Sequence, residues 1–261
     1  MASIIKIAVL NSTTLAPAAD VQDWVHAAQI QMTRDFFPSD GRPGLVTVTY
    51  YPKGATIPTD SWWIALVDNA DVANALGYHD LTSAGLPLAK VFVGTSLVYG
   101  EKPSVTLSHE LLEMLGDPFV NEFVADPVET TKLWIKEMCD SCEAVEYVIT
   151  LPATATTPAK NVSVSDFVLP AYWNTVAGKG PFSFKNSLPG PVPALAAGGY
   201  MAFIQNGTWG QINKYMTPAG PTQAHALEVL LKRFDGPLNQ RRIKRVLPKK
   251  DWVNSTAVTV G

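Results

Sequence analysis

Charge is what this chain has least of. Aspartate, glutamate, lysine and arginine make up 16% of its 261 residues, while 47% are hydrophobic, against about 25% charged in an average soluble domain. So sparse a surface implies either a large core or contacts with partner subunits, and the 20 prolines and 18 glycines add long irregular connections. The net charge of −3 gives no global attraction to nucleic acid or to anionic membranes. Cysteine is also scarce: Cys139 and Cys142 cannot build a disulfide framework. Their Cys-x-x-Cys spacing lacks the strand-to-helix setting of a thioredoxin-like redox pair, so buried structural thiols or a local disulfide are expected. No apolar run approaches the roughly 18 to 20 residues of a membrane span. The stretch from Ile4 to Leu10 is too short for a secretory signal, and a cytoplasmic protein without a membrane partner is the default expectation. Gly-x-Ser-x-Gly elbows, Walker loops and dinucleotide motifs are missing too, which removes those chemistries from consideration.

What is present alternates strands and helices. Ile4 to Leu10 predicts a buried first strand. Asp20 predicts the cap of a helix with Val21, Trp24, Ala28 and Met32 on one face, stopped by Pro38. Leu45 to Tyr51 and Trp62 to Val67 predict strands. The segment Ala73 to Leu86 predicts mostly turn, before a strand at Ala89 to Val93. Later strands are expected within Ala144 to Ile149 and Gly198 to Ile204, the latter turned at Asn206-Gly207. Thr222 to Phe234 predicts a last helix ended by Gly236-Pro237. The fold class expected is α+β, with one domain over residues 1 to 216 and a C-terminal helix and basic extended tail over 217 to 261.

The informative stretch runs from Thr106 to Pro118 and contains His109-Glu110-Leu111-Leu112-Glu113. On a helix, residues four apart share a face, so His109 and Glu113 could reach one cation while Glu110 points toward a water on it. Leu111, Leu112, Met114 and Leu115 supply the buried side, Gly116 suits a left-handed cap, and Asp117-Pro118 ends the helix. An acidic amphipathic helix can produce so short a pattern by chance, and a lone helical histidine is more often structural.

Two ligands on one helix are half a site. Glu137, in Glu137-Met138-Cys139-Asp140-Ser141-Cys142, is the choice for a third, with Asp140 either a second ligand-orienting group or the ligand itself, and Asp117 a further contender. His79, in a Gly-Tyr-His-Asp turn, could line the cleft, though such residues are more often structural. One histidine and two glutamates around a divalent cation nominally cancel its charge. Water there should be less acidic than in a two-histidine site. Zinc is the expected metal, with another divalent cation such as calcium or manganese possible.

Ser108-His109-Glu110-Leu111-x-Glu113-x-x-x-Asp117-Pro118, followed by Glu137-x-x-Asp140-x-Cys142, resembles the zincin-like proteins with a Ser-His-Glu-Leu-x-Glu core found in bacteria and tailed phages. Similar helices occur in the plant phosphate-induced (Exordium-like) family. Gly77-Tyr78-His79-Asp80, Gly85-x-Pro87-x-Ala89-Lys90-Val91-Phe92 and Val164-Ser165-Asp166-Phe167-Val168-Leu169-Pro170 share in the likeness, which covers roughly residues 1 to 210. The resemblance implies a zincin-like fold: a twisted mixed sheet with packed helices, an edge strand over the cleft and an active helix carrying the ligands. It makes His109 and Glu113 metal ligands and Glu110 the general base. Phe119 stands where metzincins place a further ligand, so that scheme does not apply.

The function this implies is a metal-binding protein, a metallopeptidase or one derived from a peptidase, with a protein or peptide substrate. Its rival is a phage virion component that keeps the scaffold without catalysis and meets other virion subunits through its low-charge surfaces, which would place the chain in a virion. The segment holding Lys232, Arg233, Arg241, Arg242, Lys244, Arg245, Lys249 and Lys250, opposed only by Asp235, would suit an acidic partner.

Overall fold

A computed structural model describes residues 4–41, 44–71, 75–174 and 179–214. The helix expected at Thr222 to Phe234 and the basic tail lie outside the described residues. In chain order the elements are β1 (Ile4–Asn11), α1 (Ala18–Ile30), α2 (Phe37–Asp40), β2 (Leu45–Tyr51), β3 (Trp62–Val67), β4 (Gly77–Leu81) and β5 (Pro87–Phe92). They continue with α3 (Val93–Val98), α4 (Pro103–Gly116), β6 (Phe123–Ala125), β7 (Lys132–Ile135), β8 (Glu146–Leu151), β9 (Lys160–Ser165), α5 (Pro170–Trp173), β10 (Tyr200–Gln205) and β11 (Thr208–Asn213).

The first sheet has the order β2-β1-β3-β5-β4, parallel except for β4, which pairs antiparallel with β5 at the edge. Its centre is apolar on both faces, as parallel strands covered on both sides must be: Ile7, Val9, Ile64, Leu66, Ala89 and Val91 are all buried. Helix α1 lies against β1 and β2, α4 lies against β4 and β5, and the two helices touch. The β8–β9 hairpin then closes over both helices, so α4 runs between two layers of strands. A second, antiparallel sheet, β11-β10-β7-β6, completes this mixed α+β architecture. Among the described residues no helix is long and apolar enough to cross a membrane.

Several local expectations change. Asp20 lies in the first turn of α1 and caps nothing; the helix starts after Pro17, which makes no side-chain cap. Pro38 does not end the helical run. A π-helical segment, Gln31–Phe36, resets the backbone, and Pro38 falls in the first turn of α2, where its missing N–H costs little. The run ends at Gly41, whose φ of 73° takes the left-handed form that glycine adopts readily. The segment expected to be mostly turn contains β4, whose residues Gly77 to Asp80 are buried by pairing with β5. Asn206 and Gly207, with φ of 50° and 75°, form the expected tight turn between β10 and β11.

Candidate metal centre

Helix α4 is buried along nearly all its length. Leu107, Leu111, Leu112 and Met114 are fully enclosed, each side chain contributing about 1.5–3 kcal/mol by leaving water. On its other side Thr106, His109, Glu110 and Glu113 line a cavity, as the 3.6-residue period requires. Two hydroxyls fix the rotation of the helix. Ser108 Oγ accepts the Ser165 N–H at 2.7 Å, and Ser104 Oγ donates to the Ser163 carbonyl at 2.8 Å, so β9 holds the face opposite the cavity.

Two other segments complete the walls. From β4, alternation places Gly77 and His79 on one face, and both line the cavity. The loop after β7 delivers Glu137, Asp140 and Glu143. That loop is anchored through its backbone: Met138 and Ser141 carbonyls accept the N–H groups of Val168 (2.8 Å) and Ala196 (2.9 Å). Gly116 seats it on the end of α4, because any Cβ there would overlap Met138. Gly116 is therefore the last residue of the helix, small for the sake of packing. It is not the left-handed cap expected: its φ is not positive, and Asp117 is the terminal cap position.

The geometry centres on Glu113. Its Oε1 lies 2.9 Å from His109 Nε2 and its Oε2 3.2 Å from His79 Nδ1. His79 Nε2 is 3.6 Å from Glu137 Oε2, and its Nδ1 is 3.9 Å from Glu110 Oε2. His109 Nε2 is 3.3 Å from Asp140 Oδ1, and its Nδ1 is 2.9 Å from Glu143 Oε2. Glu110, Glu113, Glu137, Asp140 and His79 are buried, and His109 is 8% exposed. The cavity has a volume of about 50 Å³ and is lined also by Glu101 and Tyr200, and among the described residues no lysine or arginine stands in its wall.

Carboxylates buried this close together need protons or cations to offset their charge. Burial pushes Glu113 well up from the usual carboxylate range, reinforced by Asp140 and Glu137 and opposed by His109. Burial likewise opposes ionisation of Asp140, but hydrogen bonds and charge from His109, with further bonds from Glu113 and Tyr200, hold it below that range. His109 is the converse case. Burial disfavours its charge, yet Glu113 and Glu143 outweigh that and raise it well above the ordinary imidazole value.

Two groups of buried side chains could hold a metal ion: His79, Glu113 and Glu137, and His109, Glu113 and Asp140. Within each, one ligand atom per residue lies within 4.8 Å of the others. No protein-family model, curated protein or solved structure matches the chain. The donor set must therefore be judged by its own chemistry. Imidazole nitrogen with carboxylate oxygen suits zinc, manganese or iron and contains no thiolate. Glu113 Oε1, on a side chain 6% exposed, is buried with no well-formed hydrogen bond although His109 Nε2 is 2.9 Å away. These residues fit a divalent cation.

Of the residues singled out in the sequence, His109, Glu110, Glu113, Glu137 and Asp140 meet in this cavity. His109, Glu113 and Glu137 do not form one compact trio; they divide between the two groups, sharing Glu113. Asp117 takes another role, accepting the N–H groups of Asn121 and Glu122 at 3.0 Å each to close the loop after α4. His79, placed on a turn from which it could line the cleft, sits on β4 instead and is a member of one group. Glu143, Glu101 and Tyr200 carried no signal in the sequence, since each reaches the site only through tertiary packing. Cys139 and Cys142 are buried free thiols, with Cys139 Sγ 3.9 Å from the His109 carbonyl; neither belongs to a candidate metal group.

Proposed function

We propose that the chain is a zincin-like, metal-dependent hydrolase acting on peptide bonds, with zinc or a similar divalent cation held by His109, Glu113 and the carboxylates of the Glu137 loop. The observation that carries this reading is the position of Glu110. It lines the same cavity and belongs to neither group of candidate ligands, which suits its carboxylate to the part of a base beside the ion instead of a ligand. A divalent cation bound there would supply Lewis acidity and lower the pKa of a water molecule. Glu110 then accepts the proton of the attacking water and passes it to the departing amine. Tyr200, whose phenol is held protonated by burial and by the charges of Asp140 and Glu143, stays a hydrogen-bond donor.

The mixed sheet, the antiparallel edge strand β4 beside the cavity and the motif helix α4 against it support the zincin-like reading. A virion scaffold, by contrast, has no need of a cavity lined by so many buried carboxylates, which is costly to maintain. The test is hydrolysis of an unfolded, dye-labelled protein by the purified chain supplied with zinc or manganese. Glu110→Gln should lower kcat by about 10²–10⁴ with metal content and melting temperature unchanged. Full activity in that variant, or none in the parent chain, overturns the proposal.

A further inference from the structure

We infer that the cavity binds two divalent cations bridged by the carboxylate of Glu113, one held also by His109 and Asp140 and the other by His79 and Glu137. The inference rests on the metal-binding reading above and adds a second ion to it.

Each oxygen of Glu113 faces a different histidine: Oε1 lies 2.9 Å from His109 Nε2 and Oε2 3.2 Å from His79 Nδ1. Atoms bound about 2.0–2.2 Å from one ion lie about 3–4.4 Å from each other. His109 Nε2 to Asp140 at 3.3 Å falls in that range. His79 turns Nδ1 to Glu113 and Nε2 to Glu137 at 3.6 Å, so an ion there takes one of its two nitrogens, and one ligand atom from each of His79, Glu113 and Glu137 lies within 4.8 Å of the others. Each histidine thus has its own carboxylate and shares only Glu113. A carboxylate bridging through its two oxygens holds ions at the roughly 3.5–4 Å separation used by two-metal hydrolases.

Charge agrees with the count. Glu110, Glu113, Glu137 and Asp140 are 4–6% exposed, and with Glu101 and Glu143 they make six carboxyl groups in one cavity wall, with no lysine or arginine among the described residues that line it. One dication can offset at most two of these charges in a buried site, whereas two can offset four. Glu113 Oε1, buried with no well-formed hydrogen bond, is the further sign that this carboxylate is built to accept a cation on the His109 side as well.

Manganese(II) alone is the probe, with the full chain dialysed to equilibrium and the bound metal counted by elemental analysis. Two ions per chain with an exchange-coupled electron paramagnetic resonance spectrum are expected. His79→Ala and His109→Ala should each reduce the count to one and abolish the coupling, and Glu113→Ala should abolish coupling as well. Circular dichroism identifies any variant that fails to fold, and the two histidine variants keep the test decisive if Glu113→Ala is one. A single ion per parent chain, or two ions without coupling, overturns the bridged pair while leaving the hydrolase proposal standing. No bound ion overturns both.

Discussion

Gly77 on β4 and Glu110 on α4 approach so closely that a Cβ on the strand would lie 2.5 Å from Glu110 Oε1, and 2.7 Å from the Lys90 carbonyl on the neighbouring strand. Because one obstacle is backbone, β4 cannot simply give way. Gly77→Ala must therefore move the glutamate carboxylate or part the strands. Overpacking of this kind costs about 1–3 kcal/mol. The hydrolytic rate should fall by about 10²-fold or more, because misplacing a catalytic group by about 1 Å has that effect. Rate measurements beside thermal melts check this, and an alanine variant with parental rate would show that Glu110 has no catalytic part.

The contact between Gly116 and Met138 makes a separate prediction. Gly116→Ala should destabilise the chain by about 1–3 kcal/mol through overlap with Met138. Met138→Ala in the same chain should recover part of that loss, giving a favourable coupling energy in a double-mutant cycle. Gly116→Asn serves as the control for a left-handed cap. Were the backbone left-handed, asparagine would be better tolerated than alanine; here it should be worse. Urea unfolding measures all of these.

Cys139 and Cys142 are enclosed completely, and burial raises both thiols well above their usual pKa. Thiolate is the reactive form. Neither cysteine should react with a thiol reagent such as a disulfide dye at neutral pH in the folded chain, and both should react in denaturant. Rapid labelling of the native chain would contradict the enclosed geometry.

Asp68 ties the end of β3 to the turn after β1. Its carboxylate accepts the Thr14 N–H at 2.8 Å and the hydroxyls of Thr13 and Thr14. Partial burial opposes ionisation, but these donors outweigh it and hold the group below the ordinary aspartate range. A carboxylate depressed in the folded state contributes stability above its unfolded pKa, about 3.9, and loses it as pH falls through the lower folded value. Parent chain and Asp68→Asn should therefore differ in unfolding free energy by a constant amount at neutral pH, and the gap should close below about pH 4. A gap independent of pH would assign the effect to shape instead of charge.

The elements most legible in the sequence were those whose signal is local. Leu45 to Tyr51 and Trp62 to Val67 became strands over those same residues, because β-branched and aromatic residues fit a pleated, half-buried surface wherever the chain places them. The motif helix was legible from its own periodicity. What was hidden depended on distant partners. β4 looks like turn because of Gly77 and its polar neighbours, and it is a strand only because β5 offers a register in which His79 faces Ala89. His79 joins the site for the same reason. Pro38 was misjudged because a π-helical segment cannot be read from spacing. Gly116 was read as a left-handed cap because its actual constraint, the room taken by Met138, comes from a residue far along the chain.

The most direct measurement of the central claim is anomalous X-ray scattering from crystals of the full chain soaked with zinc, recorded on either side of the zinc absorption edge. The account predicts density among His109, Glu113 and Asp140, with a neighbouring peak beside His79 and Glu137 at the separation a bridging carboxylate sets. A clean difference map in this cavity, with His109 still directed at Glu113 and Glu143, would contradict it.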